Sequence, residues 1–181
     1  MSDGLSQALC RAAGLIRDVP DYPSAGVLFR DITPLLADAE TFRLVVAAMA
    51  ESASGADMVV GVEARGFLLG AAVAYAAGLG VVPIRKAGKL PAVAARRDYQ
   101  LEYGTATLEL PAGVLAPGVR AYLVDDVLAT GGTLAASCEL VEEAGASVCG
   151  VGVLMELAAL GGRRRLGRRF PHSPLHTLLT F

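Results

Sequence analysis

Tryptophan is absent from this 181-residue chain, histidine occurs twice and cysteine three times. Each scarcity removes a class of chemistry. His172 and His176 both lie near the C-terminus, and no Gly-x-Ser-x-Gly run occurs, so a Ser–His–Asp or Cys–His nucleophilic device has no support. Cys10, Cys138 and Cys149 match no metal spacing, so zinc is not expected, and a two-metal hydrolase is short of ligands. The odd cysteine count, set in apolar patterns, predicts buried thiols in a reducing compartment, the cytoplasm. Excess charge of either sign is missing too. Sixteen basic and eighteen acidic residues give a formal net charge of −2, which offers no bulk attraction to nucleic acid or an anionic membrane. Asp3, Arg11, Arg17 and Asp18 argue against a signal peptide in the first twenty residues. The longest uncharged stretch, Gly66 to Ile84, is broken by Gly78, Gly80 and Pro83, and reads as a helix and a strand rather than a membrane span. There is no internal repeat, no low-complexity tract and no sign of a second domain.

What is present is a series of short apolar strands separated by helical patterns. Leu5, Leu9, Ala12 and Ile16 share a helical face, and Pro20 and Pro23 begin a loop. Asp38 reads as the N-cap of a helix carrying Phe42, Val45, Val46 and Met49. Met58–Val62, Val81–Arg85, Ala121–Val124, Val148–Met155 and Leu175–Phe181 read as strands, and residues 104–110 as an edge strand. Helices are expected over 64–77, closed by Gly78, and over 133–144, ending at Gly145. From Lys86 to Gln100 the periodicity disappears, and a connection of that length is often functional. The expected class is α/β, with a mostly parallel sheet flanked by helices. Sites in such folds lie beyond the carboxyl ends of the strands.

The densest chemistry is Ala121-Tyr-Leu-Val-Asp-Asp-Val-Leu-Ala-Thr-Gly-Gly-Thr133. An apolar strand ending at two carboxylates, Asp125 and Asp126, leads into a glycine- and threonine-rich turn before a helix. The N–H groups at such a helix start favour a phosphate, and Thr130 and Thr133 add hydroxyls. No lysine follows Gly131-Gly132, so this is not the nucleotide P-loop, and no Gly-x-Gly-x-x-Gly marks a dinucleotide fold. The alternative is a solvated strand end with an ordinary helix start. Arg65, before Gly66, reads either as a bidentate anion ligand or as an ion pair with Glu63. Arg85, Lys86 and Lys89 read either as a second anion site or as a solvated face. Arg96 and Arg97 either reach a ligand or keep their segment soluble. The Arg163–Arg169 cluster reads as a solvated face.

Five motifs taken in order resemble the type I phosphoribosyltransferases, and within them the adenine branch. They are Gly26-Val-Leu-Phe-Arg-Asp-Ile-Thr-Pro34, Gly61-Val-Glu-Ala-Arg-Gly-Phe67, Pro83-Ile-Arg-Lys-Ala-Gly-Lys-Leu-Pro91, Leu101-Glu-Tyr-Gly104 and Val124-Asp-Asp-Val-Leu-Ala-Thr-Gly-Gly-Thr133. The resemblance implies one phosphoribosyltransferase domain over 1–181, with a small N-terminal hood (1–34) contributing the base site and a flexible lid loop (86–103). It implies transfer of the 5-phosphoribosyl group of 5-phosphoribosyl 1-diphosphate to N9 of adenine, giving AMP and pyrophosphate. Alternatives are another 6-substituted purine (hypoxanthine, guanine or xanthine) or a non-catalytic, ligand-sensing regulator on the same fold.

By the same resemblance, Ala129, Thr130, Gly131, Gly132 and Thr133 hold the 5-phosphate. Asp125 and Asp126 face the ribose, and Arg65, Arg85, Lys86 and Lys89 meet the diphosphate. The turn at Glu63-Ala64 often carries a cis peptide in this superfamily. Leu28, Phe29, Arg30 and Leu157 form the base site. Glu102 is the acid/base residue and Tyr103 closes over the sugar. Magnesium arrives with the diphosphate, with no direct protein ligand, and a homodimer is implied. Ala92-Val-Ala-Ala-Arg-Arg97 departs from the glycine and small polar residue common after Lys89-Leu-Pro91, which bears on the lid alone.

Overall fold

Burial of Val59, Val60, Val62, Leu123, Val124, Val151 and Val153 along consecutive strands makes the central sheet. The computed structural model describes residues 3–100 and 105–181. Two units emerge, Met1–Ala48 and Met49–Phe181. In the first, α1 (Asp3–Leu15) buries Ala8 and Ala12, and Ile16 is buried just beyond its end. Strands β1 (Arg17–Pro20) and β2 (Leu28–Asp31) pair antiparallel, with Asp18 opposite Arg30 and Arg17 opposite Asp31. Pro20 therefore closes a strand rather than ending a helix. A short helix, α2 (Thr33–Ala37), precedes α3 (Ala39–Ser52), whose third N–H, from Thr41, is taken by Asp38 Oδ1 at 2.9 Å.

The second unit holds β3 (Met58–Val62), α4 (Arg65–Ala77), β4 (Gly80–Lys86), β5 (Val93–Gln100), β6 (Thr105–Pro111), β7 (Arg120–Leu128), α5 (Gly132–Glu143), β8 (Ser147–Glu156), α6 (Gly162–Arg169) and β9 (Leu175–Thr180). Its seven-stranded sheet runs β5-β6-β4-β3-β7-β8-β9. The five strands from β4 to β9 are parallel, and the β5–β6 ribbon is antiparallel. α4 ends at Gly78, whose φ of 70° suits only glycine readily.

The structure corrects the sequence reading in three places. Residues 93–100, expected as loop, form the edge strand β5, and β6 lies inside it. Alternation is the reason: Ala95 is buried while Arg96 is exposed. Strand β7 does not stop at Val124 but continues through both aspartates to Leu128. The five arginines of the Arg163–Arg169 segment are exposed, as a solvated face requires, and lie on a helix anchored by buried Leu166 and, just past its end, Phe170. Of the three thiols only Cys138 is buried; Cys10 is exposed and Cys149 half-buried.

Candidate active site

Parallel strands β3, β4, β7 and β8 end on one edge of the sheet, and the site residues cluster there. Asp125 and Asp126 sit within β7 rather than beyond it, and both are buried, at 6 % and 4 % exposure. Asp125 lies against the start of α4: a Cβ on Gly66 would stand 2.8 Å from Asp125 Oδ1. That oxygen accepts the Asp126 N–H at 2.9 Å. Asp126 Oδ2 lies 2.8 Å from Arg65 Nη2. So Arg65 pairs with Asp126 rather than Glu63.

Burial pushes the Asp125 carboxyl well above the usual carboxylate range, and the neighbouring Asp126 adds to the rise while Arg65 opposes it. Asp126 is raised too, by burial first, with Arg65 again opposing. A pair held this way ionises more readily when positive charge develops beside it.

The turn after β7 leaves its amides open. Gly131 takes φ of 78° and starts α5, whose first backbone bond runs from Ala135 N–H to the Gly131 carbonyl at 3.0 Å. The N–H groups of Thr130 through Leu134 meet no acceptor among the described residues. They are the orphan donors of a helix start. Two contacts fix the turn. Leu157 N–H donates to the Leu128 carbonyl at 2.9 Å, and Gly162 packs so closely that a Cβ there would be 2.3 Å from the Ala129 oxygen.

A second cluster surrounds Glu63, where the Glu63–Ala64 peptide is cis as the resemblance implies. Glu63 Oε1 accepts from Lys89 Nζ at 2.7 Å, and Oε2 accepts from the Lys86 N–H at 2.9 Å and from Arg85 Nε at 3.4 Å. Burial works against this carboxylate, but the bonds from Lys89 and Lys86 and the charges of Lys89 and Arg85 outweigh it, and its pKa is lowered. Arg85 also lies over Phe67, 5.9 Å from the ring centre. Beneath the turn, buried Glu109 accepts the Gly88 N–H at 3.0 Å and pairs with Arg96 at 2.9 Å. Sequence reasoning missed Glu63 as a hub and Glu109 altogether. An acid between Leu108 and Leu110 in an apolar strand was the available signal for the latter.

A family model for the phosphoribosyl transferase domain matches residues 36–170. The adenine phosphoribosyltransferase of Saccharopolyspora erythraea is 59% identical over 178 residues, covering 98% of this chain and 95% of that one. The crystal structure of adenine phosphoribosyltransferase from Rhodothermus marinus superposes with a TM-score of 0.90 at 45% identity, covering 97% of this chain and 99% of that one. The Giardia lamblia enzyme, crystallised with 9-deazaadenine, gives 0.90 at 36% identity, covering 96% and 97%. The chain belongs to the adenine phosphoribosyltransferase family.

Within that phosphoribosyltransferase frame, the remaining expected residues fall as follows. Leu28, Phe29 and Arg30 lie on β2 of the first unit, where Leu28 is 46% exposed and Phe29 stacks edge-on to Tyr22 at 5.1 Å. The Arg30 guanidinium pairs with Asp18 across the ribbon. Leu157 follows β8 in the second unit, beside the 129–133 turn. Glu102 and Tyr103 lie outside the described residues. Arg97 reaches Glu143 at 2.6 Å and Glu139 at 3.2 Å, tying β5 to α5.

Proposed function

We propose that the chain transfers the 5-phosphoribosyl group of 5-phosphoribosyl 1-diphosphate to N9 of adenine, forming AMP and pyrophosphate. One observation carries this reading: a run of open amides at the start of α5, four residues past a buried aspartate pair. The names of the relatives supply the base.

The residues divide the work. Ala129, Thr130, Gly131, Gly132 and Thr133 receive the 5-phosphate on main-chain N–H groups and two hydroxyls. That anchors one end of the sugar and fixes C1′ relative to the base. As the bond to diphosphate breaks, positive charge grows on the ribose, and Asp125 and Asp126 stabilise it at short range in a dry setting. Arg65, Arg85, Lys86 and Lys89 take the departing diphosphate. Lys89 and Arg85 exchange Glu63 for substrate oxygens as they do so. Main-chain groups around Leu28 and Arg30 read the adenine edge, with Phe29 against its face. Hypoxanthine reverses the N1 donor pattern, and stranded buried polar groups then discriminate by several kcal/mol. Glu102 accepts the N9 proton, and Tyr103 covers the sugar. Residues 86–103 act as the lid and keep water from the cationic ribose.

The donor set suits magnesium carried by substrate. Asp126 is already paired with Arg65, and among the described residues no group of three His, Cys, Asp or Glu stands ready to ligate a metal. Asp125 and Asp126 are the carboxylates that would face a hydrated ion held by diphosphate and ribose oxygens. When bound, the ion neutralises charge growing on the diphosphate.

A homodimer and a cytoplasmic setting complete the reading. The outward face of α4 supports the first: Leu68 and Tyr75, seven residues apart, are 55% and 90% exposed. No helix among the described residues is long and apolar enough to cross a membrane. The test is pyrophosphate release with each purine base and the phosphoribosyl donor. Adenine-dependent release with AMP confirmed by mass is expected. Product from hypoxanthine but not adenine overturns the base assignment, and nucleic-acid binding without turnover favours the regulator.

A further inference from the structure

Five of the eight residues of α6 are arginine, and they are not used alike. Arg163 is spent inside the fold: it grips Glu156, 2.5 Å away, and donates to Thr177 Oγ1 at 2.8 Å. Arg169 pairs with Glu139 at 2.8 Å. Arg164, Arg165 and Arg168 have no acidic partner among the described residues. All three face an open groove of about 760 Å³ between α5 and α6, together with Thr130, Ala135, Glu139 and Arg169. The groove meets the phosphate turn at Thr130 alone. Its lining continues along α5 with Ala135 and Glu139.

This arrangement is costly unless something neutralises it. Like charges stand four apart at Arg164 and Arg168, and again at Arg165 and Arg169, which destabilises an isolated helix. Arg164 and Arg165 also occupy the first turn, where the helix dipole disfavours cations and no acid is present. Gly162 and Gly167 lower helix propensity further. A solvated face needs none of this. The lining carries four arginines against one glutamate, and that glutamate is already held by Arg169 and Arg97.

We propose that the α5–α6 groove is a second anion site, taking a linear phosphate chain. Arginine forks match phosphate oxygens bidentately. The volume suits a small molecule rather than a macromolecular surface. No aromatic side chain lines the groove, so it lacks the stacking platform that single-stranded nucleic acid uses. A chain seated there touches the turn that holds the sugar phosphate and thereby biases donor binding. That last consequence rests on the proposed function; the groove itself does not.

The test titrates full-length protein with inorganic tripolyphosphate by calorimetry. The triple variant Arg164→Gln, Arg165→Gln, Arg168→Gln is expected to lose about tenfold or more in affinity. Its unfolding temperature and its turnover without tripolyphosphate are expected to stay at wild-type values. The double variant Arg85→Ala, Lys89→Ala is expected to keep tripolyphosphate binding. Wild-type affinity in the triple variant overturns the proposal, and so does loss of binding in the double variant, which places the anion at the catalytic cluster. ATP separates the sources: equal affinity assigns the groove to a nucleotide's phosphates, weaker affinity to an inorganic chain. A single-stranded oligonucleotide that binds more tightly than tripolyphosphate through the same arginines overturns the assignment in favour of nucleic acid. Arginine-dependent tripolyphosphate binding supports the groove whether or not AMP is formed, so the two readings fail separately.

Discussion

Replacing Gly162 by alanine tests how the phosphate turn is held. Gly162 opens α6 and is not among the glycines with positive φ, so alanine is allowed there and only space decides the outcome. The new Cβ would stand 2.3 Å from the Ala129 oxygen and 2.7 Å from Leu128 Cδ1. The leucine can rotate away, but the carbonyl belongs to the turn. Restoring ordinary contact moves that carbonyl, or α6, by roughly 1 Å. Overpacking of this kind costs about 1–3 kcal/mol. Alanine's helix preference over glycine returns at most about 1 kcal/mol, less in a first turn. A net loss of about 1–2 kcal/mol lowers Tm by roughly 2–8 °C in a chain of this length. A shift of about 1 Å in a positioning element costs on the order of 100-fold in turnover, so kcat/KM for the phosphoribosyl donor falls accordingly. Calorimetry and a pyrophosphate-release assay read both quantities. Gly167→Ala is the control, since nothing lies within 4 Å of its Cβ. It should hold or raise Tm and leave kcat/KM unchanged. Wild-type values for Gly162→Ala refute the packing argument, and a lowered Tm with intact kcat/KM refutes the turn as the phosphate anchor.

Other expectations follow from single contacts. Glu102→Leu should lower kcat by about 10²- to 10⁴-fold with donor binding kept, and an unchanged kcat removes Glu102 from the proton-transfer role. Asp126→Ala should remove the partner of Arg65 and impair both ribose engagement and turnover; unchanged donor affinity and kcat in steady-state assays would refute that role. Asp57, bonded by the Arg120 side chain and N–H, has its pKa lowered to about 2 from 3.8. A depressed carboxylate contributes stability above its unfolded value and loses it as pH falls through its folded one. Thermal melts between about pH 4 and pH 2 should therefore steepen in the wild type and flatten in Asp57→Asn; equal slopes would contradict this.

Much of the second unit was legible because its signals are local. Met58–Val62 is an uninterrupted apolar run, and Gly78 and Gly145 mark helix ends by needing positive φ. The turn and helix start after β7 were readable from glycines and threonines in sequence order alone. The errors arose where tertiary partners decide. Strand β5 looks shapeless because Arg96 and Arg97 interrupt its apolar pattern, yet each finds an acid, Glu109 and Glu139, far away in sequence. Strand β7 was cut short at Asp125 because two adjacent acids look like a strand end. Arg65 and Gly66 make them tolerable inside a sheet, and nothing near them in sequence says so. The α6 arginines read correctly as exposed, but that Leu166 and Phe170 pin them on a helix beside the 129–133 turn could not be seen in the sequence.

Amide chemical shifts of Thr130 through Leu134 offer the most direct measurement. Titration of isotopically labelled protein with AMP should move these signals strongly, because the open amides gain phosphate as their acceptor. Adenosine, which lacks the phosphate, should leave them in place. Equal responses to AMP and adenosine, or no response to either, would contradict the account.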